Sequence, residues 1–109
     1  MAVNWKPLAQ SVLSGTAAAI YSPAAGKQGA VHSANAWNPT AAPVTVNVYL
    51  VPGAGTAGDA TRVLQVAVPA GKSLPLTDIL NLKIVNPAAL FADGNGVTLT
   101  ITGAEADAS

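Results

Sequence analysis

The chain has 109 residues, five Lys or Arg against five Asp or Glu, and no cysteine. That length makes one domain, and the missing thiols exclude disulfides and thiolate zinc sites. Only 9% of residues are charged, where about 25% is usual, so no basic patch for direct nucleic-acid binding can be assembled. Half the residues are apolar, but only five are aromatic and many are alanine. A thin core is therefore expected, supplemented by subunit contacts, and a free monomer with so little charge should associate. No apolar run approaches the roughly 20 residues of a membrane span. The N-terminal stretch has one lysine and no continuous apolar segment, so a signal peptide is not expected.

Residues 1–7 read as an arm in which Trp5 either folds back or docks on a neighbour. Removing it is expected to leave the fold intact and weaken assembly. Residues 8–13 and 17–22 read as short strands, the second ended by Pro23 to Gly26. In 28–37, Val31, Ser33, Asn35 and Trp37 share one face of a strand and His32, Ala34 and Ala36 the other. A loop at 38–42 leads to the strongest signal, 43–52. There Val44, Val46, Val48 and Leu50 alternate with Thr45, Asn47, Tyr49 and Val51 between two prolines. A glycine-rich hairpin loop at 53–59 precedes a strand at 61–68, with Leu64, Val66 and Val68 on one side. After a turn at 69–72, residues 73–79 continue as strand or extended chain, and Thr77-Asp78 could cap one helical turn. Residues 83–91 are broken by Asn86-Pro87, and Asp93-Gly94-Asn95-Gly96 reads as a hairpin-type turn. In the last strand Val97, Leu99 and Ile101 alternate with Thr98, Thr100 and Thr102; Gly103 ends it, and 104–109 read as a frayed tail. Seven or eight short strands with Gly/Pro turns predict an all-β protein: a single antiparallel β-sandwich, jelly-roll or Ig-like, over residues 8–103.

Several stretches imitate catalytic motifs without their context. Gly53 to Gly58 spells G-x-G-x-x-G, but a strand pattern follows where a dinucleotide site needs a helix N-terminus. Gly71-Lys72-Ser73 lacks the leading glycine of a P-loop, since Val66 holds that position. Asp93 to Gly96 lacks the acidic ligands of a calcium loop. His32 is the lone histidine, with no nucleophile elbow to serve, and no carboxylate pair is marked out for acid–base work. No enzyme, cofactor or metal is expected. The Thr98, Thr100, Thr102 row, with Thr45 and Asn47, is either a solvated face or an uncharged face that packs on another subunit.

The run from Asn38 through Pro43-Val44-Thr45-Val46-Asn47-Val48-Tyr49-Leu50-Val51-Pro52, the glycine-rich loop, and then Val68-Pro69-Ala70-Gly71 resembles small β-sandwich proteins of tailed bacteriophage virions. Ala19-Ile20-Tyr21-Ser22-Pro23-Ala24 is similar to an earlier segment of that family. Two features depart from its pattern: Asn86-Pro87-Ala88-Ala89 replaces an acidic turn, and the strand at 28–35 is less charged than is usual there. The resemblance implies a structural virion component that assembles as a homo-oligomer on other virion proteins, such as the major capsid or tail proteins. Capsid decoration or a head–tail accessory role is expected, located in the virion, without membrane or direct nucleic-acid contact. Trp5, Trp37, Tyr49, Thr98, Thr100 and Thr102 are the interface candidates. The alternative expectation is a tail-fibre-associated module that recognises a host-surface glycan or protein through Trp37 and Tyr49.

Overall fold

Strand alternation sorts the side chains into two inner faces that share one core. The computed structural model describes residues 3–53 and 55–107. It contains β1 (Val3–Val12), β2 (Ala18–Tyr21), β3 (Lys27–Trp37), β4 (Val44–Val51), β5 (Arg62–Val68), β6 (Ser73–Pro75), β7 (Lys83–Val85), β8 (Ala89–Asp93) and β9 (Thr98–Asp107), with a 3₁₀ turn at Thr77–Ile79. Sheet A runs β1-β9-β3-β6, with β7 also paired to β3; sheet B runs β2-β8-β4-β5. All the pairings are antiparallel. Both β6 and β7 lie along β3, so they act as one strand interrupted by the turn. The sheets then read first–eighth–third–sixth and second–seventh–fourth–fifth, the interleaved order of a jelly roll. An Ig-like sandwich would instead place the first two strands side by side in one sheet.

Between the sheets, Val31, Ala34, Ala36, Ile84, Leu99 and Ile101 from sheet A meet Val46, Val48, Leu64, Val68, Leu90 and Ala92 from sheet B. Leu76 and Ile79, from the segment that interrupts the split strand, close one side of this core. It is a core of Val, Leu, Ile and Ala with one tyrosine, Tyr21, as the low aromatic content requires.

Four expectations need correction. The arm at 1–7 is not an arm: from Val3 onward it is the first half of β1, paired through Trp5 with Ala104 and Pro7 with Thr102. Pro7 is tolerated because β1 is an edge strand, where an absent N–H breaks no ladder. The tail at 104–109 is strand as far as Asp107, because β9 lies between β1 and β3 and both neighbours extend alongside it. Gly103 does not end β9; it permits close backbone contact, since a Cβ there would collide with the Ala30 carbonyl oxygen. Met1, Ala2, Ala108 and Ser109 lie outside the described residues. In β3 the pairing slips between Val31 and Ser33, so His32 occupies a bulge that resets the alternation. Val31 consequently faces inward with Ala34 and Ala36, while Ser33, Asn35 and Trp37 face out. Finally, Asp93 to Gly96 joins β8 in sheet B to β9 in sheet A, so it crosses between the layers and is not a hairpin.

Smaller features follow the sequence more closely. Gly53 to Asp59 does connect two paired strands, β4 and β5. The single helical turn exists, but Leu76 sits at its N-cap with no side-chain hydrogen bond, so Thr77 and Asp78 do not cap it.

Candidate functional site

Five of the six interface candidates share one surface, the outer face of sheet A. Register places Val12, Thr98 and Trp37 side by side at one end, then Gln10, Thr100 and Asn35, then Pro7, Thr102 and Ser33. Beyond the β3 bulge come Trp5, Ala104 and Ala30, and last Val3, Ala106 and Gln28. Large apolar side chains that stay exposed concentrate here: Val3, Trp5, Val12, Trp37 and Val85 all lie on this face, Trp5 with 70% of its surface open. Isolated exposed apolar residues are ordinary; several on one sheet face mark an interaction surface.

The middle of the face is a hydroxyl ladder. The Ser33 and Thr102 hydroxyls lie 2.5 Å apart, and Gln10 Nε2 donates to Thr100 Oγ1 at 3.4 Å. At one end a hollow of about 200 Å³ is floored by Ala30, Ala104 and Ala106 and walled by Val3 and Lys83. The Trp5 ring meets His32 edge-on, with ring centroids 5.5 Å apart. The β3 bulge turns His32 toward Trp5, so the lone histidine packs on an aromatic ring.

Tyr49 stands apart from the other candidates. It is on sheet B, alternates with the core residue Val48 and is 7% exposed, so it is not open to a partner. Its hydroxyl donates to Asp93 Oδ2 at 2.6 Å, and Asn47 Nδ2 donates to Asp93 Oδ1 at 2.9 Å. Arg62 lies across β5 from Tyr49 and pairs with Asp59 at 3.0 Å. The hydrogen bond to Asp93, together with burial, raises the Tyr49 hydroxyl above its ordinary pKa. Both Asp93 oxygens are committed to side chains of β4, so this carboxylate staples β8 to β4. Trp37 and Tyr49 therefore lie on opposite sheets and do not form one shallow site.

A separate polar group ties the two layers together. Tyr21, from β2, reaches across the core and its hydroxyl donates to Glu105 Oε2 of β9 at 2.6 Å. Lys6 Nζ lies 3.4 Å from the other oxygen, and Lys27 pairs with Asp107 at 2.5 Å. Tyr21 can cross because residue 29 is glycine; a Cβ there would sit 2.5 Å from the tyrosine oxygen. Burial first, and the Glu105 carboxylate second, push the Tyr21 hydroxyl far above its ordinary pKa. The same hydrogen bond holds Glu105 below the usual carboxylate range. Among the described residues no three His, Asp or Glu side chains converge as a metal site would require.

Sequence reading missed the hollow. Ala30, Ala104 and Ala106 carry no chemical signature, and the last two fell in the supposed tail. The available signal was the period-2 pattern Val3, Trp5, Pro7, which is strand-like by itself although the slip between Pro7 and Ala9 breaks its phase with Gln10 and Val12.

No protein-family model matches the chain, and no curated protein matches it. Among solved structures the fold is similar to one from Bacillus endospore appendages, described as a novel family of disulfide-linked pili. The TM-score is 0.51 at 16% identity, covering 98% of this chain and 89% of that one. This likeness extends to the β-sandwich fold. The present sequence has no cysteine with which to form such links.

Proposed function

We propose that the chain is a non-catalytic structural subunit of a tailed-phage virion, which self-associates and lies against other virion proteins as a capsid decoration or head–tail accessory component. The observation that carries the reading is the outer face of sheet A. Its exposed Trp and Val side chains flank a ladder of hydroxyls on a chain with 9% charged residues. Such a face can be covered by another subunit with little loss of charge hydration. Support for the virion setting comes from the Pro43–Pro52 strand and the loop after it, which resemble phage β-sandwich proteins. The jelly-roll order adds to it, since viral capsid domains are among the proteins that use it. The similar fold in a pilus subunit is compatible with assembly by repeated contacts, which here would be non-covalent.

Immunogold electron microscopy on purified particles tests the reading. Label over the heads supports decoration, and label at the neck supports the head–tail role. Intact particles that carry no label overturn it.

A further inference from the structure

We propose that the outer face of sheet A binds the same face of a second copy, with Trp37 of each chain seated in the partner's alanine-floored hollow. The proposal rests on the reading above only in assuming that the chain self-associates. What is new is the surface, its symmetry and the pair of features that meet.

The relief of the face is self-complementary. Trp37, aligned with Thr98, stands at one end with 43% of its surface exposed, beside Val12 at 70%. The hollow lies at the other end, around Ala104 and Ala106. At about 3.4 Å per residue the two are roughly 20–27 Å apart along β9. Place a two-fold axis between the faces, crossing the strands between Ile101 and Thr102. It brings β3 over β3 and β1 over β1 with directions reversed. Trp37 then projects at the hollow of about 200 Å³, which is on the scale of a tryptophan side chain, and Val12 faces the partner's Trp5 and Val3. Because each contact occurs twice, the interface is isologous and closes as a dimer.

Area and polarity fit the same occupant. Ten residues of β9 across four strand positions cover about 600 Å² in projection, and side-chain relief brings this near the ~800 Å² per partner of a stable interface. Several of the polar groups that would be covered already have partners within the chain. Ser33 bonds Thr102, Gln10 bonds Thr100, and Lys83 Nζ donates to the Asn81 carbonyl at 3.0 Å. Covering these costs little, whereas the exposed Asn35 amide in the middle row has to find its partner across the contact. Among the described residues Lys83 is the one formal charge lining the hollow, and at its rim it can keep its ammonium group in water.

Sedimentation velocity on the full chain and two variants tests the contact. Trp37→Ala removes the projecting ring and Ala104→Trp fills the hollow. Each alone removes both copies of the contact and, at roughly 30-fold for each aromatic anchor, should raise the dimer Kd by roughly 1,000-fold. An equimolar mixture should bind roughly 30-fold more tightly than either variant alone, because one Trp37 then meets an open hollow and the emptied end meets the filled one. A wild-type monomer, an unchanged Kd in either variant, or a mixture as weak as its parts overturns the proposal. Should a variant fail to fold, single cysteines in the otherwise cysteine-free chain decide. Thr102→Cys, near the axis, should crosslink to its copy with a short bismaleimide, and Thr98→Cys, whose copies would lie about 24 Å apart, should not. Equal crosslinking of both overturns the two-fold geometry. A monomer that still labels particles refutes this contact and leaves the virion reading standing. A dimer of this geometry that never labels particles does the reverse.

Discussion

Among the described residues Asn38 is the buried polar side chain, with none of its surface exposed. Its Nδ2 donates to the carbonyls of Ala42 at 2.8 Å and Val68 at 3.0 Å, and its Oδ1 accepts from Thr40 N at 2.9 Å. Its own backbone bonds Lys72 and Gly71, so one residue fixes both the loop after β3 and the turn after β5. Asn38→Ala leaves these buried groups without partners and should cost about 2–4 kcal/mol. Asn38→Asp should fold no better, because it aims an oxygen at two carbonyls; urea midpoints check both. Glu105 carries the pH dependence. Its folded pKa lies below the ordinary carboxylate range because Tyr21 hydrogen-bonds it and Lys6 sits close, with Lys27 adding a smaller pull against the opposing effect of burial. The unfolded chain therefore takes up the proton first, and stability falls as pH drops from about 4.3 through the folded value. Glu105→Gln should flatten that acid limb of Tm against pH, and an unchanged slope would sink the assignment. Little of this was legible beforehand. Asn38-Pro39 read as a loop, and nothing local to Tyr21 or Glu105 reveals that chain positions 84 apart share a hydrogen bond.

Elements were more legible than their ends. The strands centred on Val46, Leu64 and Leu99 follow from alternation alone, because one face of each is buried and period 2 is then unavoidable. Boundaries failed where a local device interrupted the pattern. Pro7 and the slip between Pro7 and Ala9 disguised β1, the His32 bulge reversed the outer half of β3, and Gly103 looked like a terminator. These corrections change what truncation should do. Deleting residues 1–7 removes the partner of β9 from Thr102 to Ala106, yet the side chains lost from Val3 to Pro7 are exposed. The truncated chain should fold with about 2 kcal/mol less stability, lowering Tm by roughly 8–16 °C. Trp5→Ala should shift stability by no more than about 0.5 kcal/mol, because that ring is a surface group. If Trp5→Ala destabilises as much as the deletion, Trp5 belongs to the domain's own packing after all. Thermal melts of the two variants separate these outcomes.

The class of the molecule was readable in the count of short strands, whereas the strand order was not, because it depends on which non-local edges meet. The jelly-roll order places β9, the last strand, between the first and the third, so in sheet A β1 has no partner and β3 lacks one of its two neighbours until the end of the chain is in place. Pairing across such separations closes loops before any contact offsets their entropy, which makes folding slow and all-or-none. The two ends of the chain are consequently unequal in importance, although they pair with each other. Removing 104–109 strips partners from both Val3–Trp5 and Lys27–Ala30 and takes away Glu105 and Asp107, whereas removing 1–7 uncovers only one edge of β9. A chain ending at Gly103 should therefore lose at least twice the stability of the chain lacking 1–7, about 4 kcal/mol or more. Its loss should appear as a lower midpoint of one cooperative transition, monitored together by Trp37 fluorescence in sheet A and Tyr49 absorbance in sheet B. Separate transitions for the two probes would mean that the sheets fold independently. Equal losses from the two truncations would mean that β9 is no more central to stability than the edge beside it.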